Sequence, residues 1–323
     1  MKGRILLPSQ VHVPASARVW LFLALVAHTG WGAYPVLARY LQTEAGLPSM
    51  SLMAVSMTGT AAVLAFTVRP RWRMLLRQRL LPAFLLAVMV RAVTNLLAAR
   101  FTHAIYVQLI TLMTPWVVAL LSALVFHERA PRYTGRTALV GTVGAGLMLS
   151  ASIERYGVPQ HLTASDGLGL ALAGISVFSL AWYMLLVRRS RAAQWRGDEV
   201  FFLQALVVMT VGWGATWLLQ EDWTPWTQMD LRDWLVFVAF AGFVLYGANR
   251  LQIAALQRLG ARAVSAMLPW RMVVVLGMGF WLLGEQLSSL RQVVGVLLVV
   301  GALVGYLYQL PYESPYLRAR DKQ

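Results

Sequence analysis

Two arginines stand where a chain of this kind has least use for charge. Arg91 and Arg271 each lie about ten residues into a long apolar run, and none of the 13 Asp and Glu residues falls in the middle of such a run. An arginine in hydrocarbon costs roughly 2.5–3.5 kcal/mol on an insertion scale, so it asks for water, backbone carbonyls or an anionic ligand. The chemistry this pattern offers is electrostatic: a wet cavity in which both arginines attract a substrate carboxylate or phosphate. The alternative is structural, with helix-end carbonyls and polar neighbours holding the guanidinium groups. Arg271 closes the stretch Met267-Leu268-Pro269-Trp270-Arg271, and about 150 residues earlier the chain writes Met113-Thr114-Pro115-Trp116. Proline removes a helix hydrogen bond, so both stretches are expected to interrupt a helix at matching places in two halves.

Other polar residues fall at helical spacing around these points. Asn95 shares a face with Arg91, and Gln108 shares one with Thr111 and Pro115. Ser176, Ser179 and Tyr183 form a third face, and Tyr246, Asn249 and Arg250 a fourth. Hydrogen bonds between helices would explain about half of these residues equally well. Arg250 lies near a helix end, where snorkelling to the headgroups competes with a site role. The aromatics Trp31, Tyr34, Trp116, Trp182 and Trp270 are expected to line the same cavity. His28 is the one histidine placed well inside a helix. It is a candidate for coupling proton movement to transport, against the alternative of a histidine bonded to a neighbouring helix.

The elements that must position these residues are membrane helices. The 323 residues are 59% hydrophobic and 13% charged, about half the charge of a soluble domain. Ten apolar runs approach the roughly 20 residues that span a bilayer. They cover 19–40, 50–68, 81–99, 104–126, 136–152, 167–188, 199–219, 232–255, 261–283 and 289–309. Short loops between them leave no room for a soluble catalytic domain. Trp223, Trp226 and Trp234 suit a headgroup-level belt. The Ile5-Leu6-Leu7 stretch ends at Pro8, too short for a signal core, so a retained N-terminus is expected.

Orientation follows from Lys and Arg. With both termini cytoplasmic, 20 of the 28 basic residues fall inside and 5 outside, the latter being Arg39, Arg100, Arg155, Arg232 and Arg291; Arg91, Arg250 and Arg271 are intrahelical. That bias follows the positive-inside rule and would be scrambled by one missed span. It also accounts for the net charge of +15 without a nucleic-acid partner.

The chain repeats itself. A shift of 154 pairs Asn95 with Asn249, Met113 with Met267, Pro115 with Pro269 and Trp116 with Trp270. A shift of 157 pairs Glu128 with Glu285 and Val143-Gly144-Ala145 with Val300-Gly301-Ala302. Five spans per half is an odd number, so the second copy must be inverted. That plan places a transporter's substrate near midplane between the halves. The expected fold is therefore an all-α integral membrane protein with ten transmembrane helices in an inverted 5+5 repeat. Its parts are a cytoplasmic segment 1–18, repeats 19–152 and 167–309, an outer linker 153–166 and a cytoplasmic tail 310–323.

Leu282-Leu283-Gly284-Glu285-Gln286-Leu287-Ser288, followed by Gln292, Gly295 and Gly301, resembles the ending of an EamA repeat. Phe101-Thr102-His103-Ala104, with Pro115 and Glu128 at steps of thirteen, resembles the same repeat's first copy, and Trp31-Gly32 resembles its opening. Over about 19–309 the chain is thus similar to the drug/metabolite transporter superfamily. The resemblance implies ten helices and export or exchange of amino acids, metabolites, drugs or nucleotide-linked compounds. One departure stands out: thirteen residues before Glu285 is Met272, with Pro269 displaced and Arg271 where the family often carries an acid.

Other chemistries find little support. The chain has no cysteine, which excludes disulfides, thiol catalysis and cysteine-bound metal. No Walker phosphate loop and no metal-ligand cluster is written, so no cofactor is expected. His161 and Asp166 match a membrane acyltransferase pattern but sit in a short outer loop. The expected function is a secondary transporter, not an enzyme, in a bacterial inner membrane, carrying a small anionic metabolite. Efflux of aromatic or cationic drugs is the alternative in the same fold; a membrane enzyme or lipid-handling protein, or an anion channel, belongs to other classes. Gly301 and Gly305 form a G-x-x-x-G that would serve a homodimer or internal packing.

Overall fold

The computed structural model describes residues 15–126, 134–265 and 267–309. Glu128, Arg129, Arg132 and the terminal segments, on which part of the orientation and repeat argument rests, lie outside the described residues.

The chain is helical almost throughout. Its first half holds α1 (Ala15–Thr43), α2 (Ser49–Thr67), the short α3 (Trp72–Leu76), α4 (Leu81–Phe101), α5 (Ala104–Thr111), α6 (Thr114–Phe126) and α7 (Thr134–Leu149). Its second half holds α8 (Ala164–Ala192), α9 (Gly197–Leu218), the short α10 (Thr224–Thr227), α11 (Leu231–Val238), α12 (Asn249–Ser265), α13 (Leu268–Met278) and α14 (Leu290–Gln309). A π-wound stretch, Ala239–Ala248, joins α11 to α12, and Gly279–Leu283 extends α13 in the same way. Among the described residues, seven helical stretches are long and apolar enough to cross a membrane: Val19–Thr43, Ser49–Thr67, Leu81–Phe101, Ala104–Val125, Ala164–Ala192, Gly197–Leu218 and Leu231–Leu259. Leu268–Leu283 and Leu290–Gly305 are shorter apolar helices.

Both Pro-Trp stretches mark helix breaks, and in the same way. Pro115 and Pro269 are each the second residue of a new helix, α6 and α13. There the missing N–H would have had no intrahelical acceptor, so proline starts a helix at little cost. The two prolines are therefore structurally equivalent, and the offset of Pro269 relative to Glu285 does not alter its role. One boundary differs from the sequence reading. Helix α12 runs on to Ser265, through residues expected to open the ninth span, and the break waits for Pro269.

Helices from the two halves pair with each other: α2 with α9, α7 with α14, α4 with α8, α1 with α12 and its π-wound lead, and α5 with α13. This scheme is unchanged when the halves are exchanged. Gly144 and Gly295 let α7 and α14 touch backbone to backbone, since a Cβ on Gly295 would lie 2.6 Å from the Gly144 carbonyl oxygen. A small sheet, absent from the sequence reading, caps one end. Strands β1 (Ile153–Arg155) and β2 (Val158–Gln160) form a hairpin through left-handed Tyr156 and Gly157, and β3 (Glu285–Leu287) pairs antiparallel with β1.

Under that sheet the two halves of the chain are fastened together. The Glu285 carboxylate is fully buried, pairs with Arg39 Nε at 3.3 Å, and accepts from His103 Nδ1 at 3.3 Å and from the Ala104 and Ile105 amides at the start of α5. An anion at a helix N-terminus meets unpaired N–H groups, which is why this one tolerates burial.

Candidate functional site

Arg91 on α4 and Arg271 on α13 are buried, at 6% and 3% exposure, and both line one central cavity with Trp31, Tyr34, Asn95 and Gln108. The residues share an indole. The Arg91 guanidinium carbon lies 5.3 Å from the Trp31 ring centre and the Arg271 carbon 5.8 Å from it. Arg91 also rests on the Tyr183 ring at 4.3 Å. Each ring is itself held: Trp31 packs on Tyr34, Tyr34 on Phe240, and the Tyr183 hydroxyl donates to Gln204 at 2.7 Å. Among the described residues, no acid lines this cavity or the one beside it, which adds Met53, Ser56, Met57, Gln204 and Phe240.

The two arginines are anchored differently. Arg271 Nε donates to His28 Nδ1 at 2.7 Å, and His28 Nε2 lies 2.8 Å from the Val264 carbonyl. Since the carbonyl can only accept, His28 is the Nε2–H tautomer with its second nitrogen taken by Arg271. Arg91 has no such partner: its Nε is buried without a hydrogen bond, as are Gln108 Nε2 and Trp31 Nε1. These are donors, and an unsatisfied buried donor costs about 1–3 kcal/mol. Aromatic faces recover part of the cost for Arg91, about 2 kcal/mol where water is excluded. A carboxylate or phosphate would satisfy the same groups with charge-assisted bonds of the stronger kind.

Little room is left. The space open to a water-sized sphere is about 20 Å³ in one cavity and 30 Å³ in the other, room for a water or so and not for an organic molecule.

Of the residues singled out from sequence, Trp31, Tyr34, Arg91, Asn95, Gln108 and Arg271 come together here, Tyr183 completes the Arg91 cradle and His28 orients Arg271. The others are placed elsewhere. Trp116 is buried against α7, over Gly141 and with its Nε1 donating to Thr137 at 3.3 Å. Trp270 is 40% exposed and donates to Thr29 on α1 at 2.9 Å. Arg250 is exposed and meets Asp198 at 3.3 Å and the Tyr246 hydroxyl at 3.2 Å, while Tyr246 packs on Phe201. Asn249 is buried with its Nδ2 unsatisfied, yet lines neither cavity. Pro115 shapes the backbone only. Sequence reasoning missed Gln204 and Ser56, although a glutamine in the apolar run of α9 was a visible signal. Asp166, in the acyltransferase-like pattern, accepts from the Thr163 amide and hydroxyl and from Thr102, and so caps α8.

The comparisons can now be set beside this geometry. Residues 18–150 match the model of the EamA-like transporter family. That stretch is similar to an EamA-like transporter repeat. The match covers α1 through α7, and the resemblance read in Leu282–Ser288 lies beyond it. The match implies a membrane transporter of the drug/metabolite type, and the apolar helices are those of a multi-pass membrane protein in contact with lipid. A crystal structure titled simply as that of a protein superposes on 92% of this chain and 99% of its own, with a TM-score of 0.63 at 18% identity, which concerns the fold alone. No curated protein matches the sequence.

Proposed function

We propose that the chain is a secondary transporter that exports or exchanges a small metabolite bearing a carboxylate or phosphate. Its two inverted five-helix halves, 19–152 and 167–309, rock around a midplane site held by Arg91 and Arg271. The observation that carries this reading is the pair of buried guanidinium groups on one indole, in a cavity without an acid. Repulsion from the same pair disfavours cationic drugs as cargo. Ten spans with both termini cytoplasmic, in a bacterial inner membrane, are supported by the 20-to-5 basic bias and by helix pairing that survives exchange of the halves. Because the central space holds about one water, substrate must enter by separation of the halves, as alternating access requires.

His28 supplies the coupling. A proton arriving at Nδ1 displaces the Arg271 donor and sets two cations side by side, which frees Arg271 for an anion. Gly301 and Gly305 on α14 face open space and offer a stripe for a second copy.

The test is uptake and efflux in proteoliposomes with matched panels of organic anions and cations, repeated for Arg91→Gln and Arg271→Gln. Selective anion transport lost in both variants is expected. Preference for cations, or indifference to both substitutions, would refute the reading.

A further inference from the structure

Beyond the central site, the bundle has a second, more open and much larger cavity. At the end that the charge bias assigns to the outer face, α1, α4, α8 and the segments leading into α5 and α8 border a space of about 720 Å³. Its walls carry Arg39, Arg100, His103, His161 and Asp166.

Among the described residues, the one carboxylate lining this cavity and the Gln42 carbonyl oxygen are spent. Asp166 takes the Thr102 hydroxyl on one oxygen, at 2.8 Å, and the Thr163 amide and hydroxyl on the other, at 2.8 and 2.7 Å. Gln42 Oε1 takes the Ser49 hydroxyl at 2.7 Å. Glu285, behind the wall, neutralises Arg39. The donors are not spent. Arg100 is exposed, pairs with no acid among the described residues, and uses one N–H, from Nη1 to Ser49 Oγ at 3.1 Å. His161 Nδ1 meets the Ser152 hydroxyl at 3.0 Å, and with that hydroxyl donating, Nε2 carries the imidazole N–H. His103 donates through Nδ1 to Glu285, which leaves its Nε2 a lone pair and no donor for an anion. A guanidinium has five donors, so the capacity left over on Arg100 is for an acceptor. Carboxylate and phosphate have that chemistry.

Position adds to the argument. Arg39 follows Trp31 by eight residues on α1, and Arg100 follows Arg91 by nine on α4. At 1.5 Å per residue the outer cavity lies about 12–14 Å from the central one, on the same helices. Buried Ala98, Val107 and Ala173 pack together across α4, α5 and α8.

We infer that the outer cavity is a second anion site, in which a carboxylate- or phosphate-bearing ligand is held by Arg100 and His161 on its way to or from the centre. Its role as a station on a route rests on the transport reading above; its affinity for anions does not.

Because the natural chain has no cysteine, Gln160→Cys at the rim takes a single fluorophore. Inorganic phosphate and acetate are titrated against the labelled protein in phosphatidylcholine nanodiscs. A saturable response is expected, weakened at least tenfold by Arg100→Gln, partly restored by Arg100→Lys and unchanged by Arg271→Gln. Arg100→Gln should melt with the parent, since the side chain is exposed. A response that survives Arg100→Gln, no saturable response, or one that follows phosphatidylglycerol content and ignores dissolved anion would overturn the inference. Failure of the central reading would instead appear as unchanged transport in Arg271→Gln, with this titration intact.

Discussion

Replacing Glu285 by glutamine should unfasten the sheet-capped end of the bundle. The carboxylate has 0% side-chain exposure, pairs with Arg39 and accepts from His103 and two amides at the start of α5, all in the other half of the chain. Arg39 is 11% exposed and keeps only the Ala99 and Thr102 carbonyls when the acid is gone. Removing one partner of a buried pair costs about 3–5 kcal/mol. The contacts at 3.3–3.4 Å are long and Arg39 retains those carbonyls, so the lower end, about 3 kcal/mol, applies. Arg39→Gln alone strands the acid, although α5 still offers its amides, and should cost about 2 kcal/mol by the same reasoning. The double variant removes both charges and should cost less than the two single costs combined, by about 1–3 kcal/mol of coupling. Equilibrium unfolding in mixed micelles, followed by tryptophan emission, measures all three. A Glu285→Gln protein as stable as the parent, or single costs that simply add, would refute the argument.

Four further variants probe the central site and its surroundings. A Cβ at Gly32 would lie 2.8 Å from Val274 Cβ and 3.0 Å from the Arg271 backbone, so Gly32→Ala should push α13 off α1, cost about 1–3 kcal/mol and raise KM for transport. Tyr183→Phe keeps the ring under Arg91 and should leave KM within about threefold of the parent. Tyr183→Leu removes a cation–π contact of about 2 kcal/mol and should raise KM about tenfold or more. Arg250→Gln breaks only an exposed pair and should change stability by less than about 1 kcal/mol, with substrate affinity untouched.

Helices were the legible part of this sequence, because length and apolar composition are properties of one segment at a time. The same holds for the Pro-Trp breaks, where proline acts on its own backbone. Arg91 and Arg271 were visible as candidates because charge in an apolar run is costly wherever it points. Direction was not legible. Trp116 and Trp270 have the same type and register as each other, yet one packs on α7 and the other reaches Thr29, since rotamer and neighbour decide where an indole goes. Pro269 and Pro115 both open a helix although their distances to Glu285 and Glu128 differ by three residues, since proline acts on its local backbone. Nothing in 153–160 or 285–287 has the length or alternation of an ordinary strand, so the sheet that clips the repeats together had no local signal. The Arg39–Glu285–His103 cluster joins residues up to 246 positions apart in sequence and needed the fold to be seen.

The central claim is that Arg91 and Arg271 hold the substrate's anionic group, and equilibrium affinity for the transported substrate tests it most directly. Each charge-assisted bond is worth about 1.5–3 kcal/mol. Arg91→Gln and Arg271→Gln should therefore each weaken binding about 10- to 150-fold, with stability of the unliganded protein equal or higher because a buried charge is gone. Affinity equal to the parent in either variant would contradict it.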